Sequence, residues 1–285
     1  MNNPLENTFF NTPFNAIPFQ DIKLEHFLPA IKTGITSANK EIDDLLNNET
    51  ATFQNTIEAL DSIGQQLSIV SGVFFNLNSS ETSEEMQLLA QEISPLLTEH
   101  SNDILLNERL FERIQSVYET KDQLTLDIES TTLLEKTYKR FARNGALLQG
   151  DKKERLRELN KDLSLTSLKF GENVLAESNA FELVLTNEHD LAGLPESAIE
   201  AAAQLAKEKK QEGWVITLDY PSYIPFITYA DNRVLREKLF RAFNSKANQG
   251  NEFDNKDVVL KIAQLRFEKA QLLGYDSHAH YILEE

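Results

Sequence analysis

Residues 27–45, FLPAIKTGITSANKEIDDL, place Phe27, Ile31, Ile35, Ala38, Ile42 and Leu45 at intervals of three and four. At 3.6 residues per turn that spacing puts all six on one stripe of an α-helix, and an apolar stripe needs a partner to cover it. The pattern recurs at Phe53, Ile57, Leu60, Leu67, Val70, Phe74 and Leu77, read as a second one-faced helix. It continues through Met86, Leu89, Ala90, Ile93 and Leu97, then Leu110, Ile114 and Val117, with Asn and Ser clusters at 76–83 and 101–107 predicted to supply the turns. Links this short imply antiparallel neighbours. A longer helix pair is predicted over 133–141 and 156–174, separated by a turn at 145–151, with Leu156, Leu159, Leu163, Ser167 and Phe170 sharing a core face.

Extended structure is scarce. Residues 181–186 and 214–219 are short β-branched or aromatic runs, and they bracket a helix that Pro195 opens and Gly213 closes. The predicted fold class is therefore mainly α, a multi-helix domain with antiparallel helix pairs and at most two or three short strands. No repeat of fixed period, low-complexity tract or Gly/Ser linker marks a boundary. The seam is set near 176–195, dividing a helical region at 1–175 from residues 176–285, a small strand–helix–strand segment leading into further helices.

Composition narrows the partners. Forty-five acidic against 28 basic side chains leave a formal charge of −17. A field of that sign repels phosphate backbones and anionic lipid, so neither nucleic acid nor membrane is expected as a partner. The chain has no cysteine, which removes disulfides and thiolate metal sites. Its start, MNNPLENTFFNTPFNAIPF, lacks the basic and apolar regions of a signal peptide, and no apolar run approaches the roughly 18 residues of a membrane span. A cytoplasmic location is the expectation.

The motifs that carry chemistry are mostly missing. Of five histidines, His26, His100, His189, His278 and His280, none sits in H-E-x-x-H, the helical pattern whose two histidines bind zinc while its glutamate handles the water proton. His278 and His280 are two apart, which on a helix sends them to different faces; His26 reads as a polar flank at a helix start. Residues 145–152, GALLQGDK, have the glycine spacing of a P-loop, but Asp151 breaks the required G-K-[ST] and no buried strand precedes it. A helix–helix turn accounts for both glycines. Ser222 has no G-x-S-x-G elbow around it, and Pro221 and Pro225 predict a rigid extended turn there. The basic run KKERLR at 152–157 reads as solvated surface.

The ordered series PSYIPFITYADNRVLREKLFRAF at 221–243, FDN at 253–255, LRFEKAQLLGY at 265–275 and HAHYILEE at 278–285 resembles the M3 family of zinc metallopeptidases, the thimet oligopeptidase and dipeptidyl carboxypeptidase group. Within it the similarity is to the dipeptidyl carboxypeptidase and oligopeptidase A branch. Residues 140–178, RFARNGALLQGDKKERLRELNKDLSLTSLKFGENVLAES, and more weakly IKLEHFLPAI at 22–31, are similar to the same family. The resemblance covers essentially the whole chain.

It implies a mostly helical enzyme of two lobes around a deep channel, with zinc held by the H-E-x-x-H histidines and a downstream glutamate. Residues 1–175 would belong to the lobe that walls the channel. No part of that zinc motif occurs here, so no catalytic, cofactor-binding or metal-ligating residue is assigned, and no cofactor is expected in these 285 residues. The chain stops within an amphipathic pattern with no Gly, Asn or Pro stop signal. It therefore reads as an amino-terminal fragment of a zinc-dependent peptidase acting on oligopeptides, inert alone, excised or truncated before its metal site. The alternative is a non-catalytic helical interaction module retaining the family scaffold. Uncovered apolar faces would favour self-association in either case.

Overall fold

The computed structural model describes residues 3–6, 9–10 and 12–285, and divides into two compact units: residues 1–165 with 264–285, and residues 166–263. Both boundaries fall inside helices, α7 (Asp151–Ala180) and α11 (Lys256–Leu272). The described residues are mainly helical, with two short strands.

In the first unit, α1 (Leu24–Leu46) buries the stripe read from its sequence, with Phe27, Ile31, Ala38, Ile42 and Leu45 all buried. It packs against α3 (Gln65–Ser80) and α4 (Glu84–Leu105). The approach to α3 is close because Gly34 has no side chain: a Cβ there would lie 3.2 Å from both Cα and Cβ of Leu67. Phe27 meets Phe74 edge to face at 5.1 Å, a favoured geometry for aromatic quadrupoles. Further along α1, Ile42 and Leu45 enter a cluster with Phe53, Ile57, Leu110, Ile114, Leu134 and Phe141. That cluster draws in α5 (Glu108–Glu119) and α6 (Ile128–Phe141). Each such side chain contributes about 1.5–3 kcal/mol on burial.

Several expectations are corrected here. The pattern from Phe53 to Leu77 is not one helix: a π-helical turn at Phe53–Glu58 leads into α2 (Ala59–Ser62), and the chain breaks at Ile63 and Gly64 before α3. Gly64 adopts φ +75°, open to glycine at little cost, and its N–H donates to Glu41 Oε2 at 3.0 Å. The Asn and Ser clusters mostly continue the helices, leaving only 81–83 and 106–107 as links. In α7, Leu156 and Leu159 are buried, but Ser167 and Phe170 are exposed; buried Thr166 and Asn173 take the inward line instead. The KKERLR run is not uniformly solvated. Lys153 is buried and donates to the Leu106 carbonyl at 3.2 Å and to Glu108 Oε1 at 2.8 Å, while Arg155 and Arg157 pair with Glu268 and Asp103.

In the second unit, β1 (Leu183–Leu185) and β2 (Trp214–Ile216) pair antiparallel with Leu183 opposite Ile216 and Leu185 opposite Trp214. They bracket α8 (Glu196–Glu208), which packs on β2. The segment after β2 is helical rather than extended: α9 (Tyr220–Tyr229) carries Pro221 in its first turn, where a missing N–H costs nothing, and accommodates Pro225 inside. Tyr223 stacks on Phe243 of α10 (Arg233–Asn244) at 4.0 Å, and Phe226, Ala230 and Leu239 complete the core. Asp254 of the FDN motif accepts from the backbone N–H of Lys256 at 2.9 Å, from the Lys256 ammonium at 2.9 Å and from the Gly250 N–H at 2.5 Å, which together push its carboxyl down to about 2. The motif thus starts α11.

Gly213 has φ +91°, and a Cβ there would lie 2.0 Å from the Leu185 carbonyl oxygen. Gly213→Ala is expected to destabilise the second unit by about 2–4 kcal/mol, combining left-handed strain with a clash against fixed backbone. Gly171→Ala, on an exposed helical turn with open space around it, should instead stabilise by up to about 1 kcal/mol. Urea unfolding followed by the fluorescence of Trp214, the single tryptophan, reads both.

Candidate functional site

Residues Ala142–Ala146 form a π-helical turn between α6 and the link to α7, and Gly145 closes it at φ +101°. A Cβ on Gly145 would lie 2.4 Å from Leu156 Cδ2, inside the core. A helix precedes this turn, so the GALLQGDK glycines serve a helix–helix connection as read from sequence.

The turn aims Arg143 and Asn144 at the segment around α12 (His278–Leu283). Arg143 Nε donates to Glu284 Oε2 at 2.5 Å, and Nη2 donates to the Tyr281 carbonyl. The Tyr275 hydroxyl donates to the same Glu284 oxygen at 2.6 Å, and the Tyr281 hydroxyl donates to Asn144 Oδ1 at 2.9 Å. Lys136 and Lys139 both pair with Glu285. The Tyr275 hydroxyl, and then Arg143, hold the Glu284 carboxyl below its ordinary value.

Beside this clasp lies a cleft of about 380 Å³. Its polar lining comes from Ser94, Thr98, Ser101 and Asn102 of α4, Asn144 of the turn, and Asn160 of α7; Phe75, Leu97 and Leu105 supply apolar wall. Lys269 of α11 is its charged residue. The Lys269 ammonium sits 5.8 Å from the centre of the Tyr281 ring, and no carboxylate lies within 4 Å of it among the described residues. Burial alone pushes this ammonium below its ordinary value.

The histidines do not converge. His26 Nδ1 accepts the Lys23 N–H at 3.0 Å, the helix-start role expected of it. His100 is buried, with Nδ1 3.0 Å from Asn39 Oδ1. His189 and His280 are exposed, while His278 Nδ1 is buried without a hydrogen-bond partner. Ser222 Oγ accepts the Thr217 N–H at 3.0 Å at the β2–α9 corner. Among the described residues no three His, Asp or Glu side chains are grouped to hold a metal, so the zinc that the family resemblance implies does not fit them.

The Lys269 cleft escaped sequence reading, since its residues come from five separated stretches and form no motif. The nearest signal was RNGALLQG at 143–150, legible as a turn but silent about what the turn presents.

Burial pushes His100 down, against an opposing pull from Asp103; burial, then Arg266 and Lys269, push His278 down. A histidine that binds its proton less readily when folded favours the unfolded chain as pH drops. This part of the stability is therefore complete above the ordinary histidine value and is lost as pH falls from about 6.5 toward the folded values. Urea midpoints at constant ionic strength should decline between pH 7.5 and 5.5, and His100→Gln should flatten that decline.

The profile of Peptidase family M3 matches residues 226–285. Oligopeptidase A of Salmonella typhimurium is 32% identical over 98% of this chain and 41% of its own length. Dipeptidyl carboxypeptidase of Escherichia coli is 34% identical over 94% of this chain and 40% of its own. A protein described as a probable cytosolic oligopeptidase A of Arabidopsis thaliana is 30% identical over 96% and 40%. The chain thus spans about two-fifths of the length of the curated relatives it matches. Similarity along nearly all of this chain, with the profile match at 226–285, makes it a member of peptidase family M3.

Proposed function

We propose that these residues are the amino-terminal part of a zinc-dependent peptidase that hydrolyses short peptides, and that they wall one side of its substrate channel without turning over substrate themselves. The observation that carries this reading is the mismatch in coverage: the chain aligns over 98% of itself with oligopeptidase A yet over only 41% of that relative, and it has no H-E-x-x-H. The contribution of residues 1–175 is then steric. A narrow channel admits short or unfolded peptides and rejects folded proteins, so selection precedes any chemistry. Zinc would belong to the rest of the enzyme, where it would activate water. A cytoplasmic location accords with the relative named as cytosolic and with a cysteine-free chain. No described helix is long and apolar enough to cross a membrane.

The purified 285-residue chain, incubated with zinc and quenched fluorescent oligopeptides, should show no chelator-sensitive cleavage; turnover would overturn its inertness. Reading the DNA beyond codon 285 separates the two functional classes. An open frame leading to H-E-x-x-H supports the peptidase, whereas a stop codon supports the helical interaction module.

Apolar side chains stand in solvent in each unit: Leu283 is 80% and Phe267 56% exposed in the first, Val234 75% and Phe240 53% in the second. In an isolated chain such surface promotes association. Sedimentation should show oligomers growing with concentration, weakened by Leu283→Ser or Val234→Ser. A strict monomer at high concentration would refute this.

A further inference from the structure

The Lys269 cleft has the parts of a receptor for a small anion. Its cation has no carboxylate partner, although the chain as a whole carries an excess of 17 negative charges. A lysine on the surface of so acidic a protein has many carboxylates to choose from; this one faces carboxamides and hydroxyls instead. Lys269 is the charged residue of the lining, with Arg266 on the same helix.

The surrounding donors are positioned and only partly used. Asn160 Nδ2 donates to Asn102 Oδ1 at 2.7 Å, leaving the Asn102 amide hydrogens without an acceptor among the described residues. Asn144 is held from both ends, its Nδ2 donating to the Arg140 carbonyl at 2.8 Å and its Oδ1 accepting from Tyr281, so one amide hydrogen remains. The Lys269 side chain, three carboxamide side chains and the Ser101 hydroxyl therefore line one small space, and all of them can donate.

We propose that this cleft binds a singly charged carboxylate of a small organic ligand, with the Lys269 ammonium taking the carboxylate and Asn102, Asn144 and Asn160 taking its neighbouring polar atoms. One cation with neutral donors balances a monoanion and leaves a dianion undercompensated in a half-buried site. The apolar wall of Phe75, Leu97 and Leu105 favours an organic ligand over a bare inorganic ion. This site needs no hydrolysis and stands apart from the peptidase reading.

The test uses the 285-residue chain and three probes: N-acetylglycine at neutral pH, its uncharged amide, and inorganic phosphate. Titration is followed by nuclear magnetic resonance of the side-chain amides of Asn102, Asn144 and Asn160. N-acetylglycine should shift these signals saturably, and the uncharged amide should bind at least about tenfold more weakly, as expected for a charge-assisted hydrogen bond. Lys269→Met, which keeps the aliphatic stem, should weaken the carboxylate about tenfold or more while leaving the unfolding midpoint within the range of a surface change. Ser101→Asp, on an exposed position of α4, should weaken it by adding a negative charge at the rim. Equal binding of the acid and its amide, undiminished binding by Lys269→Met, or tighter binding of phosphate than of N-acetylglycine would each overturn the assignment.

Discussion

The first unit depends on how closely α1 can approach α3. Gly34 leaves the surface of α1 flat where Leu67 crosses it, and Phe27 and Phe74 then fall into edge contact. A Cβ at position 34 would press on Leu67 at 3.2 Å and require it to give by a few tenths of an ångström, and well-packed interiors concede such space only at a cost. The same helix carries Ile42 and Leu45 into the cluster that gathers α5 and α6. One apolar stripe on 23 residues thus orders helices drawn from the first 141.

A second constraint operates at Gly145. Its left-handed backbone turns the chain between α6 and α7 while Leu156 closes over it, and the turn brings Arg143 and Asn144 to face α12. Their partners lie more than 130 residues away in sequence, at Tyr281 and Glu284. A short segment with few buried residues is thereby tied down by charge-assisted hydrogen bonds to a guanidinium, whose planar fork reaches a carboxylate and a carbonyl together. Asn144 links this clasp to the neighbouring cleft, since the residue that receives the Tyr281 hydroxyl also lines the space that Lys269 faces.

Electrostatics are uneven in a way the net charge conceals. Arg155 and Arg157 spend their charge on Glu268 and Asp103, and Lys153 is drawn inward to Glu108 and a carbonyl. Lys269 is left among neutral donors, close enough to His278 to oppose its protonation. An acidic chain that leaves a desolvated cation without a carboxylate forgoes a stabilising contact at that point.

The sequence by itself determined the helical class, the α1 stripe, the two short strands bracketing α8, and the family, because periodicity and ordered local motifs are written in neighbouring residues. It misplaced what rests on particular backbone angles: the break at Gly64, the helical start at Pro221, and the change of buried face along α7, where a helix exchanges one set of neighbours for another. Only tertiary structure decided which lysine is buried, which arginine clasps α12, and which amides meet around Lys269. Those depend on residues brought together from far along the chain, and the spacing of residues within any one segment holds no record of such encounters.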